Sequence, residues 1–244
     1  CLYYLAVNLD LVALEAQLAL AVRERTGHDL RIQGLELQLV PLPTLGVRGV
    51  ELSAAAGFGP EPMVAIREAR ARLLVLPLLE GEVALGGLVL EGLELRLLRS
   101  EGGRGSWETL LEHLGEQEAA PLVTLPTIER LSLVDARVRY EDRASGRVLV
   151  VDPLRLALGP FDTHTPSHLT LEASLLSEEP ALQAEFVVAG IGSLEAERWV
   201  ASALRIDTRV WGAAVPGGEL ELGLSAPFSA TRDGELLDLE AFTL

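Results

Sequence analysis

His164 and His168 stand four residues apart, with Asp162 just before them. Two histidines at that spacing can share a metal when they lie on one helix face. Pro166 falls between them and breaks any such helix. Three polar groups in one loop also fall short of the donor set that a zinc site needs, so the stretch reads as a solvated loop. His28 and His113 stand alone. Gly190-Ile-Gly-Ser193 lacks the glycine that follows the serine in a nucleophile elbow. Gly102-Gly-Arg-Gly105 is rich in glycine, but no phosphate motif follows it and a hairpin turn explains it. Carboxylates are abundant, yet most alternate with leucine, as Glu94 and Glu221 do, which places them on a solvated strand face. No grouping supports nucleophilic, acid–base or metal chemistry. The expectation is a protein that is not an enzyme and uses no metal or cofactor.

What the sequence does carry is alternation. Leu88-Val-Leu-Glu-Gly-Leu-Glu-Leu-Arg-Leu-Leu-Arg99 has Leu93, Leu95 and Leu97 at every second position. That is the period of a strand with one apolar face. Leu88 and Leu90 alternate in another phase, and the change falls at Glu91-Gly92, where a bulge or bend can absorb a residue. Leu35, Leu37 and Leu39 repeat the pattern within residues 30–39. Further alternating stretches cover residues 47–52, 63–75, 128–140, 147–152, 154–158, 169–176, 182–189, 204–211, 219–228 and 236–244. Turn residues separate them, as in Pro41-Leu-Pro43, Ala56-Gly-Phe-Gly-Pro-Glu-Pro62 and Glu141-Asp-Arg-Ala-Ser-Gly146. Helical signals are few. Leu11, Leu14, Leu18 and Val22 form one stripe over residues 8–27, with Asn8 or Asp10 as cap, Arg23 and Arg25 in the last turn and Gly27 after it. A second, short helix is expected over residues 107–114, capped by Ser106 and ended by Gly115.

The fold class expected is therefore mainly β, a long antiparallel sheet with one N-terminal amphipathic helix and short connecting helices. Three segments follow: residues 1–27 with the helix, 28–120 with a first sheet of about five strands, and 121–244 with more strands in the same style. The boundary is placed at Gly115-Glu-Gln-Glu-Ala-Ala-Pro121.

Composition limits the partners. The 244 residues are 49% hydrophobic but only 5% aromatic, with mean hydropathy +0.29 and net charge −16. All 20 basic residues are arginine. Such acidity excludes nucleic acid as a partner, because phosphates need a basic surface. Cys1 is the single cysteine, so no internal disulfide forms. A mature lipoprotein also begins with Cys, which leaves lipidation of Cys1 open. The preferred reading takes Cys1 to Val7 as the end of a membrane-spanning helix, since the chain starts apolar and without Met. The ending at Ala-Phe-Thr-Leu244 likewise reads as a truncation.

Several segments together resemble the N-terminal region of the AsmA family of bacterial envelope proteins. Thr26-Gly-His-Asp-Leu-Arg-Ile-Gln-Gly34 is similar to the family's TGR entry into a first strand, with His28 in place of Arg. Val50-Glu-Leu-Ser-Ala-Ala-Ala-Gly-Phe-Gly59 is similar to V-x-L-x-N-x-x-G-F-G. Leu76-Pro-Leu-Leu-Glu-Gly81 resembles PLL-x-G, and Leu88 to Leu97 resembles L-x-L-x-G-P-x-L-x-L with Leu93 for Pro. Gly105-Ser-Trp107 stands where G-x-x-N-W is frequent. Residues 125–140 look like a second family segment, I-x-x-L-x-I-x-x-G-x-V-x-Y.

The resemblance implies an inner-membrane anchor at the N-terminus, a periplasmic body, and a part in outer-membrane biogenesis or lipid homeostasis. It also implies kinship with bridge-like lipid transfer proteins, whose sheets curl into a groove for acyl chains. Phospholipid and the inner membrane are the expected partners, with outer-membrane or other envelope proteins beside them. The expected groove lining, chosen by face, is Leu35, Leu37, Leu39, Leu88, Leu90, Leu93, Leu95 and Leu97. The alternative is a non-catalytic scaffold that binds other proteins by β-edge pairing.

Overall fold

The computed structural model describes residues 11–75, 77, 84–110, 127–160, 166–195, 198–231 and 237–239. The expected membrane-spanning end at Cys1–Val7, the caps Asn8 and Asp10, His113 and the Asp162–His164 pair lie outside them. Of the helix expected over residues 107–114, Glu108 to Leu110 are helical, and the rest lies outside as well.

Helix α1 runs Leu11–Thr26. Thr26 Oγ1 donates to the Val22 carbonyl and the Gly27 amide to the Arg23 carbonyl, both in the last turn. Gly27 then takes φ +69°, the left-handed conformation that ends a helix cheaply only at glycine. Apolar residues are not confined to the expected stripe: ten of the 12 residues from Leu11 to Val22 are apolar and only Glu15 is charged. Leu20 is 57% exposed.

The strands follow in order: β1 Leu30–Gln38, β2 Thr44–Ser53, β3 Pro62–Leu73, β4 Ala84–Arg99, β5 Thr127–Ile128, β6 Leu131–Asp142, β7 Val148–Gly159, β8 Ser167–Ser177, β9 Leu182–Glu195, β10 Arg198–Trp211, β11 Glu219–Thr231 and β12 Leu237–Leu239. They form one sheet in the order β1-β2-β3-β4-β6-β7-β8-β9-β10-β11-β12, with β5 paired to the start of β4. Short turns make neighbours antiparallel throughout, except where β4 meets β6 and β5 in parallel. The parallel junction was not legible in the alternation. It requires a return path along the sheet, and the residues between Arg99 and Leu131 supply a connection of the length a parallel crossover needs. The stretches expected at 147–152 and 154–158 are one strand, β7, whose register shifts at Pro153, a residue with no N–H to pair.

Among the described residues the sheet is a single layer. Apart from α1 against β1, the substantial contacts between elements are all between hydrogen-bonded strands. Among the described residues, Met63, Leu85, Ala136 and Ala184 alone are buried hydrophobics. A two-layer domain of this size would bury far more.

A line of irregular positions crosses the first strands. Gly49 in β2 and Gly92 in β4 have φ +60° and +64°, and Asp135 in β6 has φ +51°. Between them the ladder skips Gln33, Gly49, Arg67 and Gly92, then resumes on the other side. A Cβ on Gly49 would lie 2.3 Å from Gln33 Cδ, and one on Gly92 would lie 2.9 Å from Arg67 Cβ. Only glycine satisfies both the sign of φ and the close approach there. Asp135 tolerates the left-handed region because a short polar side chain can bond locally.

Gly92→Ala should therefore destabilise the chain by about 1–3 kcal/mol through backbone strain and contact with Arg67. Gly87→Ala, also in β4, meets nothing within 4 Å and has no positive φ, so it should change stability by less than about 0.5 kcal/mol. Urea unfolding of the two variants checks this, and equal effects would show that the line across the sheet is not a backbone constraint.

Candidate functional site: an uncovered apolar face

The register joins single residues into rows that cross the strands. One row runs Leu35, Val47, Ala69, Leu90, Leu133, Leu156, Leu171, Val188, Ile206 and Leu224, each paired with the next. All ten are half-buried. A second row runs Leu30, Leu52, Val64, Leu95, Val138, Val151, Leu175, Ala184, Val210 and Leu220 through the same strands. Beside the first row lies another from Leu37 and Leu45 through Leu88, Leu131, Leu158 and Leu169 to Leu204. Between the first two, Ile32, Val50, Ile66 and Leu93 align on β1–β4.

These rows share one face because of the irregular line. Arg67 and Arg70 are an odd number of residues apart, which in a regular strand puts them on opposite faces. Both nevertheless reach Glu91, at 2.8 and 2.9 Å. A side chain cannot reach through a sheet, so the phase of alternation inverts between them. Glu91 and Glu94 then both belong to the charged face, and Leu88, Leu90, Leu93, Leu95 and Leu97 all belong to the other. The phase change visible in the sequence at Glu91-Gly92 is this inversion, and it keeps the leucines together.

Of the residues singled out from sequence, Leu35, Leu37, Leu88, Leu90, Leu93, Leu95 and Leu97 fall on the apolar face. Leu39 lies one residue past the end of β1, in the turn. Sequence reasoning did not single out the row members in β6–β11. Their alternation was visible, but which residue stands beside which depends on the parallel β4–β6 register.

At about 4.8 Å per strand, ten strands make the aliphatic strip about 43 Å long across the strands. Leu88 to Leu95 spans seven residues along β4, so the strip is about 23 Å wide at 3.3 Å per residue. At one margin Tyr140, paired with Leu97, packs its ring against Trp107 at 6.0 Å between centroids. His28 sits near the same strand ends, 1% exposed, and its Nδ1 donates to the Ser53 carbonyl at 2.8 Å. Its Nδ1 is thus committed to tying the end of α1 to β2.

The opposite face is charged and largely self-paired. Arg48 bonds Glu36, Arg70 bonds Glu68 and Glu91, Arg137 bonds Asp152, Arg205 bonds Asp207, and Arg209 bonds Glu219 and Glu221. The Arg67 hydrogen bond, joined by the charge of Arg70, holds the Glu91 carboxyl below its ordinary value, against a smaller opposing effect of desolvation. The paired side chains are exposed or, at Glu68 and Glu91, half-buried, so each pair contributes little to stability. Among the described residues, no group of three or more potential ligands could hold a metal ion, and no helix is long and apolar enough to cross a membrane.

Fold and face together define a class: an open, single-layer β-sheet protein with one continuous aliphatic face and one charged face. The AsmA family model matches residues 8–237, nearly the whole chain, and the chain belongs to the AsmA family. Membership supports an envelope-related role. No curated protein matches the chain significantly.

The ion pair around Glu91 gives a direct check. Its depressed value means that the pair stabilises the fold at neutral pH and that this contribution fades as pH falls below the ordinary value near 4.5. Arg67→Gln should move the Glu91 carboxyl midpoint upward in an NMR titration. An unmoved midpoint would mean that Arg67 and Glu91 do not share a face, and the phase inversion would fall with it.

Proposed function

We propose that the chain holds phospholipid acyl chains against its apolar face and so takes part in outer-membrane biogenesis or lipid homeostasis. The carrying observation is the set of aliphatic rows that cross ten strands with no second layer over them among the described residues. In this reading the N-terminal segment anchors the protein in the bacterial inner membrane and the sheet stands in the periplasm, curled into a groove around its ligand. The protein does no covalent chemistry and uses no cofactor.

The physical support is the mismatch between apolar surface and cover. Each methylene buried against the face contributes about 0.8 kcal/mol, so a hydrocarbon chain is a strongly favoured cover. The rows run across the strands, which makes the long axis of the strip the natural path for a chain. Half the hydrocarbon core of a bilayer is about 15 Å, so a strip of about 43 Å exceeds one acyl chain and suits several lipids placed end to end. Nothing polar interrupts the first row from Leu35 to Leu224. The charged outer face keeps such a body soluble in water.

The test compares two neighbours on opposite faces. Leu95→Glu puts a carboxylate into the middle of the strip, where hydrocarbon disfavours it strongly. Glu94→Leu changes the exposed charged face. Native mass spectrometry of the purified protein should find phospholipid with the wild type and with the Glu94 variant, and none with the Leu95 variant. Stripped of lipid, all three should melt at close temperatures, since among the described residues no layer packs on Leu95. Loss of several kcal/mol in the Leu95 variant, with no lipid on the wild type, would mean that the face is a dry core closed by protein. That outcome would favour a scaffold that pairs with partners at its free edges.

A further inference from the structure

The ends of strands β1–β4 are unlike each other. At one end the connections carry Asp29, Glu61, Glu101 and Arg104, all exposed. At the other end, residues 37–47 contain no charged residue and neither do residues 73–75, while Glu80 and Glu82, later in the β3–β4 connection, lie outside the described residues. In a chain that is 23% charged, an uncharged run as long as residues 37–47 is a marked departure, and residues 73–75 lie beside it. They are joined: the Leu73 amide donates to the Pro43 carbonyl at 2.8 Å. At the tip, Val40 is 76% and Leu42 50% exposed.

We infer that the β1–β2 turn is a membrane-contact element that inserts Val40 and Leu42 into the interfacial layer of a phospholipid bilayer. Three observations favour lipid over protein as the occupant. First, part of the turn's backbone polar groups are removed or paired, which favours lipid because lipid penalises free ones. Pro41 and Pro43 have no N–H, the Leu42 carbonyl accepts from Thr44 Oγ1 at 3.1 Å, and the Pro43 carbonyl is taken by Leu73. Second, the tip offers protruding aliphatics, without the aromatic or Arg anchors that dominate protein interfaces. Third, the turn belongs to the edge strand that α1 packs against, and α1 is itself almost charge-free from Leu11 to Val22. With a net charge of −16, the chain is repelled by an anionic bilayer surface, so an uncharged part is its most favourable point of approach. The inference is independent of acyl-chain binding by the sheet, and its test reads the turn and not the lipid content.

The 244-residue chain with Cys1→Ser would carry an environment-sensitive fluorophore at Leu42→Cys or, as control, at Ser145→Cys in the exposed β6–β7 turn. On adding phosphatidylcholine vesicles, the label at 42 should shift to the blue and be quenched by nitroxide-bearing acyl chains. The label at 145 should do neither. Val40→Asp with Leu42→Asp, checked for folding by circular dichroism, should lower the vesicle-bound fraction about tenfold. Flotation with vesicles but no shift at 42 would overturn the inference, because α1 alone would then account for binding. Absence of flotation, or equal shifts at 42 and 145, would also overturn it. A concentration-dependent shift at 42 in buffer alone would assign the turn to contact with a second copy.

Discussion

A hydrophobic face that crosses ten strands survives only if every strand keeps register with the next. A slip of one residue at any ladder would carry that strand's leucines to the charged side. The structure holds this register in two ways. Long antiparallel ladders fix most neighbours, and cross-strand Arg–carboxylate pairs such as Arg48–Glu36 and Arg209–Glu221 are met only in the correct alignment. Individually these pairs are weak, but a wrong register loses all of them while also exposing leucine. The preference for one register is thus a sum over both faces.

The irregular line through Gly49, Gly92 and Asp135 follows from the same constraint. A strand of 16 residues such as β4 accumulates twist, and a sheet of many such strands must bend somewhere. A left-handed residue in a strand bends the backbone and inverts the alternation. Were only one strand to invert, its apolar residues would part from those of its neighbours. Here the positions are aligned across β2, β4 and β6 while the ladder skips its partners in β1 and β3, so the face bends as a unit and stays aliphatic on both sides.

Much of this is written in local sequence. Alternation located the strands, Gly27 marked the end of α1, and the break of phase at Glu91-Gly92 announced the inversion. What lay beyond local reading was pairing. The parallel junction of β4 with β6 leaves no trace in either strand, because alternation is the same for both directions. The choice of Leu35, Leu37 and the leucines of β4 as one set rested on face alone, and the register shows why they are contiguous. Leu39 followed the same alternation, but Pro41 ends the strand before it can join a row. His28, which stood alone in the sequence, gains its partner from Ser53, 25 residues away, a distance no spacing rule covers.

The single-layer design also sets how stability is distributed. The strands contact mainly those they are hydrogen-bonded to, with β5 as a third partner of β4, so among the described residues the sheet is held by nearest-neighbour interfaces, as in a solenoid, and not by a common core. With few fully buried hydrophobic residues, the aliphatic rows in the absence of a cover contribute less than their area could. Whatever occupies the face binds the folded sheet and has no comparable site on the unfolded chain, so it stabilises the fold in proportion to the logarithm of its concentration over its dissociation constant. Strand order makes this coupling directional. Cover over β2–β4 tightens the end next to α1, and cover over β9–β11 tightens the far end, with the parallel β4–β6 ladder as the joint through which one half supports the other. Stability and occupancy are therefore two readings of the same face.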